Sequence, residues 1–249
     1  MSRGGNLFMT YAPAPVPPAP VPVPPAAAPG RALRSPVGLS YAVTALLGVV
    51  IAVDLLIIAA SLNMRSFLSG VTSGTADFDE DAASRADYAM AGSSVLYVVV
   101  LVATSALFIV WFHRARQNAE VFAPDTQRRT PGWAIGAWFI PIANMWIPRG
   151  VAADVLRASR TDPYGGEAKG RGLLNAWWGA WVWSLVFDRY ASRTYDRAQD
   201  AEAIHDAAAL VLAGAGFDIV AAVLAILFVR RLTSMQHAKA VAGRTVPSA

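Results

Sequence analysis

The chain has 249 residues, 55% of them hydrophobic and 15% charged, against the roughly 25% charge of an average soluble domain. It has no cysteine, which excludes disulfides, thiolate metal sites and cysteine nucleophiles. The net charge of +4 would suit a nucleic-acid binder, but the basic residues flank long apolar runs instead of lining a soluble face. They orient a membrane protein, and no nucleic-acid partner is expected. Lysine occurs only at Lys169 and Lys239, while arginine, alanine, glycine and proline are abundant, a bias that fits a GC-rich bacterial genome such as an actinomycete's.

Residues 1–35 form a Pro/Ala-rich leader without a hydrophobic period, expected to be disordered and partly polyproline II. It lacks the apolar core and cleavage site of a secretory signal. It reads as a solvated leader, with a docking tail for a proline-reading partner as the alternative.

Four nearly charge-free runs follow, at 37–62, 93–112, 173–187 and 207–229. About 20 apolar residues in a helix span roughly 30 Å of hydrocarbon, so these runs read as membrane crossings. The expected fold is an all-α integral membrane helical bundle. It has four transmembrane helices over 36–231, a broken re-entrant or interfacial segment, and a cytoplasmic tail at 232–249. In the first run Ser40, Thr44, Gly48 and Ala52 share one face, where small side chains would let another helix pack closely. After Arg65 an acidic stretch with Asp77, Asp79, Glu80, Asp81 and Asp87 reads as a polar connector; its spacing matches no calcium loop.

The stretch 131–148 reads PGWAIGAWFIPIANMWIP, apolar and Trp-rich but divided by Pro141 and carrying Asn144. Proline removes a backbone donor and disfavours helix in the residue before it, so two short pieces dipping into the membrane describe it better than one crossing. Residues 151–159 then read as a short amphipathic turn and 161–172 as a flexible linker. Lys and Arg counts support this arrangement. Four crossings put sixteen basic residues on one side and five on the other, whereas a fifth crossing at 132–147 gives ten against eleven. Positive charge concentrates in the cytoplasm, so both termini are expected there, in the plasma membrane.

Trp111-Phe-His-Arg-Ala-Arg-Gln-Asn118, with Pro131-Gly-Trp133, Trp138-Phe-Ile-Pro-Ile-Ala-Asn144 and Pro148, resembles the actinobacterial membrane proteins grouped as domain of unknown function 4328. The leader and the Trp177-Trp178 pair resemble that family as well, and the resemblance covers roughly 37–231. It implies a fold and no reaction.

Candidate functional residues fall in two groups. Asp54 and Asp218 lie inside the first and last runs, where a carboxylate costs about 2.5–3.5 kcal/mol on insertion scales. Their depths agree to within roughly 10 Å at 1.5 Å per residue, so they form either a proton- or cation-linked pair or hydrogen-bonded packing contacts. Arg114, Arg116, Asn118, Trp133, Trp138, Pro141, Asn144 and Pro148 form the second group. There the arginines either bind lipid phosphate, an anionic ligand or a partner, or anchor a helix end. Asn118 and Asn144 would tie the broken segment to the second span or cap helices. Trp177, Trp178, Trp181 and Trp183 read as an interfacial aromatic belt, with Trp177 and Trp181, which share a face by their spacing of four, as an alternative stacking surface for a quaternary amine or quinone. The three histidines are scattered, and neither a nucleophile elbow nor a Walker loop occurs. The expectation is therefore a non-enzymatic protein without metal or cofactor. Its role is that of an accessory component binding lipid, membrane-protein partners or its own copies through 111–171; the alternative is a small transporter or channel subunit using Asp54 and Asp218.

Overall fold

The computed structural model describes residues 33–75, 79–165 and 170–244, and among them all the regular structure is helical. The leader up to residue 32 and Asp77 lie outside the described residues. Four long helices dominate: α1 (Val37–Thr72), α2 (Glu80–Phe122), α5 (Arg171–Arg197) and α6 (Ala201–Arg244). Between α2 and α5 come a 3₁₀ turn (Pro124–Thr126), the four-residue α3 (Trp133–Gly136), a second 3₁₀ turn (Ala143–Met145) and α4 (Ile147–Ala158). Helices α1, α2 and α6 are long and apolar enough to cross a membrane, which marks the chain as a membrane protein.

Local chemistry sets the ends. Asp79 caps α2, its carboxylate accepting the Asp81 N–H at 3.0 Å, and Glu80 and Asp81 favour the positive end of the helix dipole. Pro124 stops α2 two residues past Phe122. Asp200 accepts the Ala203 N–H at 2.8 Å and opens α6, while Gly170, at φ 96°, supplies the left-handed residue from which α5 starts.

Helix α1 packs against both α2 and α6, and α5 packs against α6; α3 and α4 lie along α2. All four long helices share one arginine-rich end, where Arg34, Arg114, Arg116 and Arg231 sit. We call it the basic end. Next to it lies an aromatic core of Phe108, Trp111, Phe112, Trp138, Trp177, Trp178 and Phe228. Trp177 stacks on Phe228 with centroids 4.9 Å apart, and Trp138 meets Phe108, Phe112, Trp178 and Trp181 edge-on or tilted. Lipid tails are as apolar as these rings, so the rings are held by close packing more than by escape from water, each pair contributing about 0.5–1.5 kcal/mol.

Several local expectations change. Trp177 and Trp178 are 5% and 6% exposed and belong to this core, not to an interfacial belt; Trp183 stays on the surface. The small-residue row of α1 packs within the chain only at its start, where Ser40 is buried and Thr44 half-buried. Gly48 and Ala52 are exposed, because α1 buries the adjacent row of Val43, Leu47, Val50 and Ile57. The acidic connector is shorter than expected, since α1 continues to Thr72 and α2 begins at Glu80. Residues 151–158 of the expected turn belong to a helix of 12 residues, α4, which Pro148 opens from its first turn and Ser159 caps.

Candidate functional site

The chain places its polar side chains in two very different settings. At the basic end every motif residue that faces inward has a partner. Trp111 Nε1 donates to Thr233 Oγ1 at 3.1 Å, and Arg114 donates to the Ser35 carbonyl. Arg116, almost fully buried, pairs with Glu120 and donates to the Arg129 carbonyl. Asn118 grips the backbone of Arg34 twice, accepting its N–H at 3.0 Å and donating to its carbonyl at 2.8 Å. It also donates to Gln236 Oε1, while Gln236 Nε2 reaches the Ala115 carbonyl and Ser159 Oγ. Thus Asn118 and Gln236 join α2, α4, α6 and the residues preceding α1. Arg128 chelates Asp154 through Nε and Nη2, and the carboxylate beside it raises the guanidinium pKa.

The expected tie between Asn118 and Asn144 is not made. Asn118 is committed to Arg34 and Gln236, and Asn144 lies beside α5. The broken segment is held instead by His113 Nδ1 against the Pro131 carbonyl, by Trp138 in the aromatic core, and by Trp178 Nε1 donating to the Met145 carbonyl. Trp133 and Pro141 are on the surface, and Pro148 is buried.

Deeper in the bundle Asp54 lies within electrostatic range of Asp218, and two residues that the sequence did not single out stand beside them. Tyr97 of α2 donates its hydroxyl to Asp218 Oδ2 at 2.9 Å. Asp188, one residue past the apolar run 173–187, is inside α5, and its carboxylate lies against Gly214 of α6, 2.7 Å from where a Cβ would stand. Glycine at 214 is what lets that carboxylate in. Asp54 is within electrostatic range of both Asp218 and Asp188. Counted at 1.5 Å per residue from Val37, Arg114, Arg171 and Arg231, the residues Asp54, Tyr97, Asp188 and Asp218 lie about 20–26 Å along their helices, one from each long helix.

Asp54 differs from the others. It is 0% exposed, and neither carboxylate oxygen has a hydrogen-bond partner among the described residues. Tyr97 and Asp218 also line a cavity of about 160 Å³ that runs towards the basic end, past Thr104 and Ser184, to Trp138 and Trp177. Among the described residues no three His, Cys, Asp or Glu side chains stand close enough to hold a metal ion. The arrangement can accept, hold and release protons between carboxylates. Asp188 had one signal in the sequence: Arg171–Arg197 contains no proline, so nothing ends the helix at residue 187.

No curated protein and no solved structure matches this chain. The family model for a domain of unknown function, DUF4328, matches residues 74–234, a stretch that contains Tyr97, Asp188, Asp218 and the whole bonded motif but not Asp54. Covering well over half of the sequence, the match establishes that the chain belongs to the DUF4328 family.

Proposed function

We propose that this chain is a plasma-membrane protein in which α1, α2, α5 and α6 cross the bilayer, segment 131–148 re-enters from the cytoplasmic face, and both termini are cytoplasmic. Its carboxylate centre carries protons, making it a small proton-linked transporter or channel subunit, and no catalytic role is assigned. Helix α5, at 27 residues and about 40 Å, has the length of a crossing. Both ends of the broken segment contact the basic end, through His113 to Pro131 and through Arg149 to Asn175. The excess of arginine there makes that end cytoplasmic.

The observation that carries the reading is Asp54: fully enclosed, without a hydrogen-bond donor among the described residues, and within electrostatic range of two further carboxylates. An ionised carboxylate so placed pays for lost hydration with no return, whereas a neutral acid that exchanges its proton with Asp188 or Asp218 does not. Tyr97 is placed to orient Asp218 towards the cavity.

The test is proton flux into proteoliposomes under an imposed pH gradient, read by an entrapped dye. Flux is expected from the native chain and lost in the Asp54→Asn, Asp218→Asn double variant. Equal flux in both, or none in either, overturns the reading.

A second reading, an accessory component that binds lipids, membrane-protein partners or further copies through 111–171, is favoured by the outward Phe139, Ile142 and Trp146 at the tip of the broken segment. The bonded state of Arg116 and Asn118 narrows it to that tip.

A further inference from the structure

A groove separate from the carboxylate centre lies on the outer surface of α5. Val182, Leu185, Val186, Arg189, Tyr190 and Arg193 recur three and four residues apart and form one row. Across from them stand Ile142, Asn144 and Met145 of the broken segment, and together they enclose a groove of about 520 Å³.

The row is ordered by polarity. Its first part is apolar and exposed, Val186 at 57%, and its last part carries two guanidinium groups. From Val182 to Arg193 the helix rises about 16 Å, close to half of a 30 Å hydrocarbon core. An apolar stretch one leaflet deep that ends in paired arginines matches an acyl chain and its phosphate in length and in polarity. Among the described residues neither the Arg189 nor the Arg193 side chain has a hydrogen bond or an ion pair, and the Asn144 side-chain amide is likewise unbonded. The neighbouring Asp188 does not neutralise this row, because its carboxylate is turned against Gly214 of α6.

The opposite wall is held in an unusual conformation. Ile142 has φ 67° and ψ −51°, and the Ala143 N–H donates to the Pro141 carbonyl at 2.7 Å, which closes a γ-turn on a β-branched residue. Strained backbone persists where its surroundings hold it, and such sites concentrate at ligand clamps. Here the turn leaves Ile142 77% exposed and sets Asn144 into the groove.

We propose that this groove binds an anionic phospholipid, with the acyl chain against Leu185, Val186 and Ile142 and the phosphate across Arg189 and Arg193. Guanidinium forks match phosphate oxygens two at a time, and the pair would repel the ammonium of a zwitterionic head group. This site is independent of proton transfer at Asp54.

The test uses the full chain in detergent, titrated with phosphatidylglycerol and followed by native mass spectrometry. Phosphatidylglycerol is expected to bind about tenfold more tightly than phosphatidylcholine of the same chains. The Arg189→Gln, Arg193→Gln pair should lose that preference, and the Arg189→Lys, Arg193→Lys pair should keep part of it. Val186→Trp should fill the groove and weaken binding without altering charge. Undiminished phosphatidylglycerol binding in the glutamine pair, with native helicity and thermal midpoint, overturns the proposal. So does competition by inorganic phosphate at the concentration of the lipid, which would make the site one for free anions.

Discussion

The two polar regions of this bundle are built in opposite ways. At the basic end Asn118, Gln236, Arg116 and Trp111 are buried and bonded, each to a different segment of chain. That network ties α2, α4, α6 and the residues preceding α1 to one another. In the carboxylate centre Asp54 is as deeply buried and bonded to nothing among the described residues. A satisfied buried polar group specifies structure, whereas an orphaned one is a standing cost that requires another reason to be present.

That contrast predicts effects of opposite sign. The largest is functional: Asp54→Leu should abolish proton flux in proteoliposomes while leaving the thermal midpoint unchanged or raised, since an apolar side chain of similar size removes an uncompensated polar group. A clear loss of stability would show that Asp54 has a structural partner and would erase the distinction. Gln236→Leu should do the reverse, costing about 2–3 kcal/mol by stranding the Asn118 amide and the Ala115 carbonyl, with flux per folded molecule retained. Denaturant titration in mixed micelles measures the first quantity and the dye assay the second.

Smaller effects sharpen the same comparison. Tyr97→Phe removes the hydroxyl bonded to Asp218 and should slow flux several-fold, while costing only about 1 kcal/mol of stability. Flux unchanged in that variant would place Tyr97 outside the proton path. Asp154→Asn weakens the Arg128 chelate at the basic end. With the arginine side chain two-thirds exposed, the expected loss is about 1 kcal/mol, seen as a lower thermal midpoint and no change in flux. Ile142→Gly should relieve the left-handed strain at the tip and recover up to about 1 kcal/mol, set against the greater freedom of an unfolded glycine.

Much of this architecture is legible in the residues themselves. Apolar runs mark α1, α2 and α6 as membrane-length helices, because hydrocarbon forces a long unbroken helix on any segment that crosses it. Pro141 announces the break at 131–148, and the motif running from Trp111 to Asn118 identifies the family. Asp54 and Asp218 stand out from composition alone, as carboxylates in apolar surroundings.

What the residues do not disclose is who meets whom. Helical periodicity gives a side chain's direction around its own axis but not the rotation of one helix against another, and this rotation decides every long-range contact here. It turns Gly48 and Ala52 of α1 outward, sends Asn118 to Arg34 and Gln236 instead of Asn144, and draws Asp188 and Tyr97 into a site that helical pattern alone does not connect. Sequence by itself determined that these helices exist, that they suit a membrane and that two of them carry a buried acid. Only tertiary packing decided that four helices bring one acid or phenol each to a common level, because close packing fixes relative rotation, which no single helix encodes.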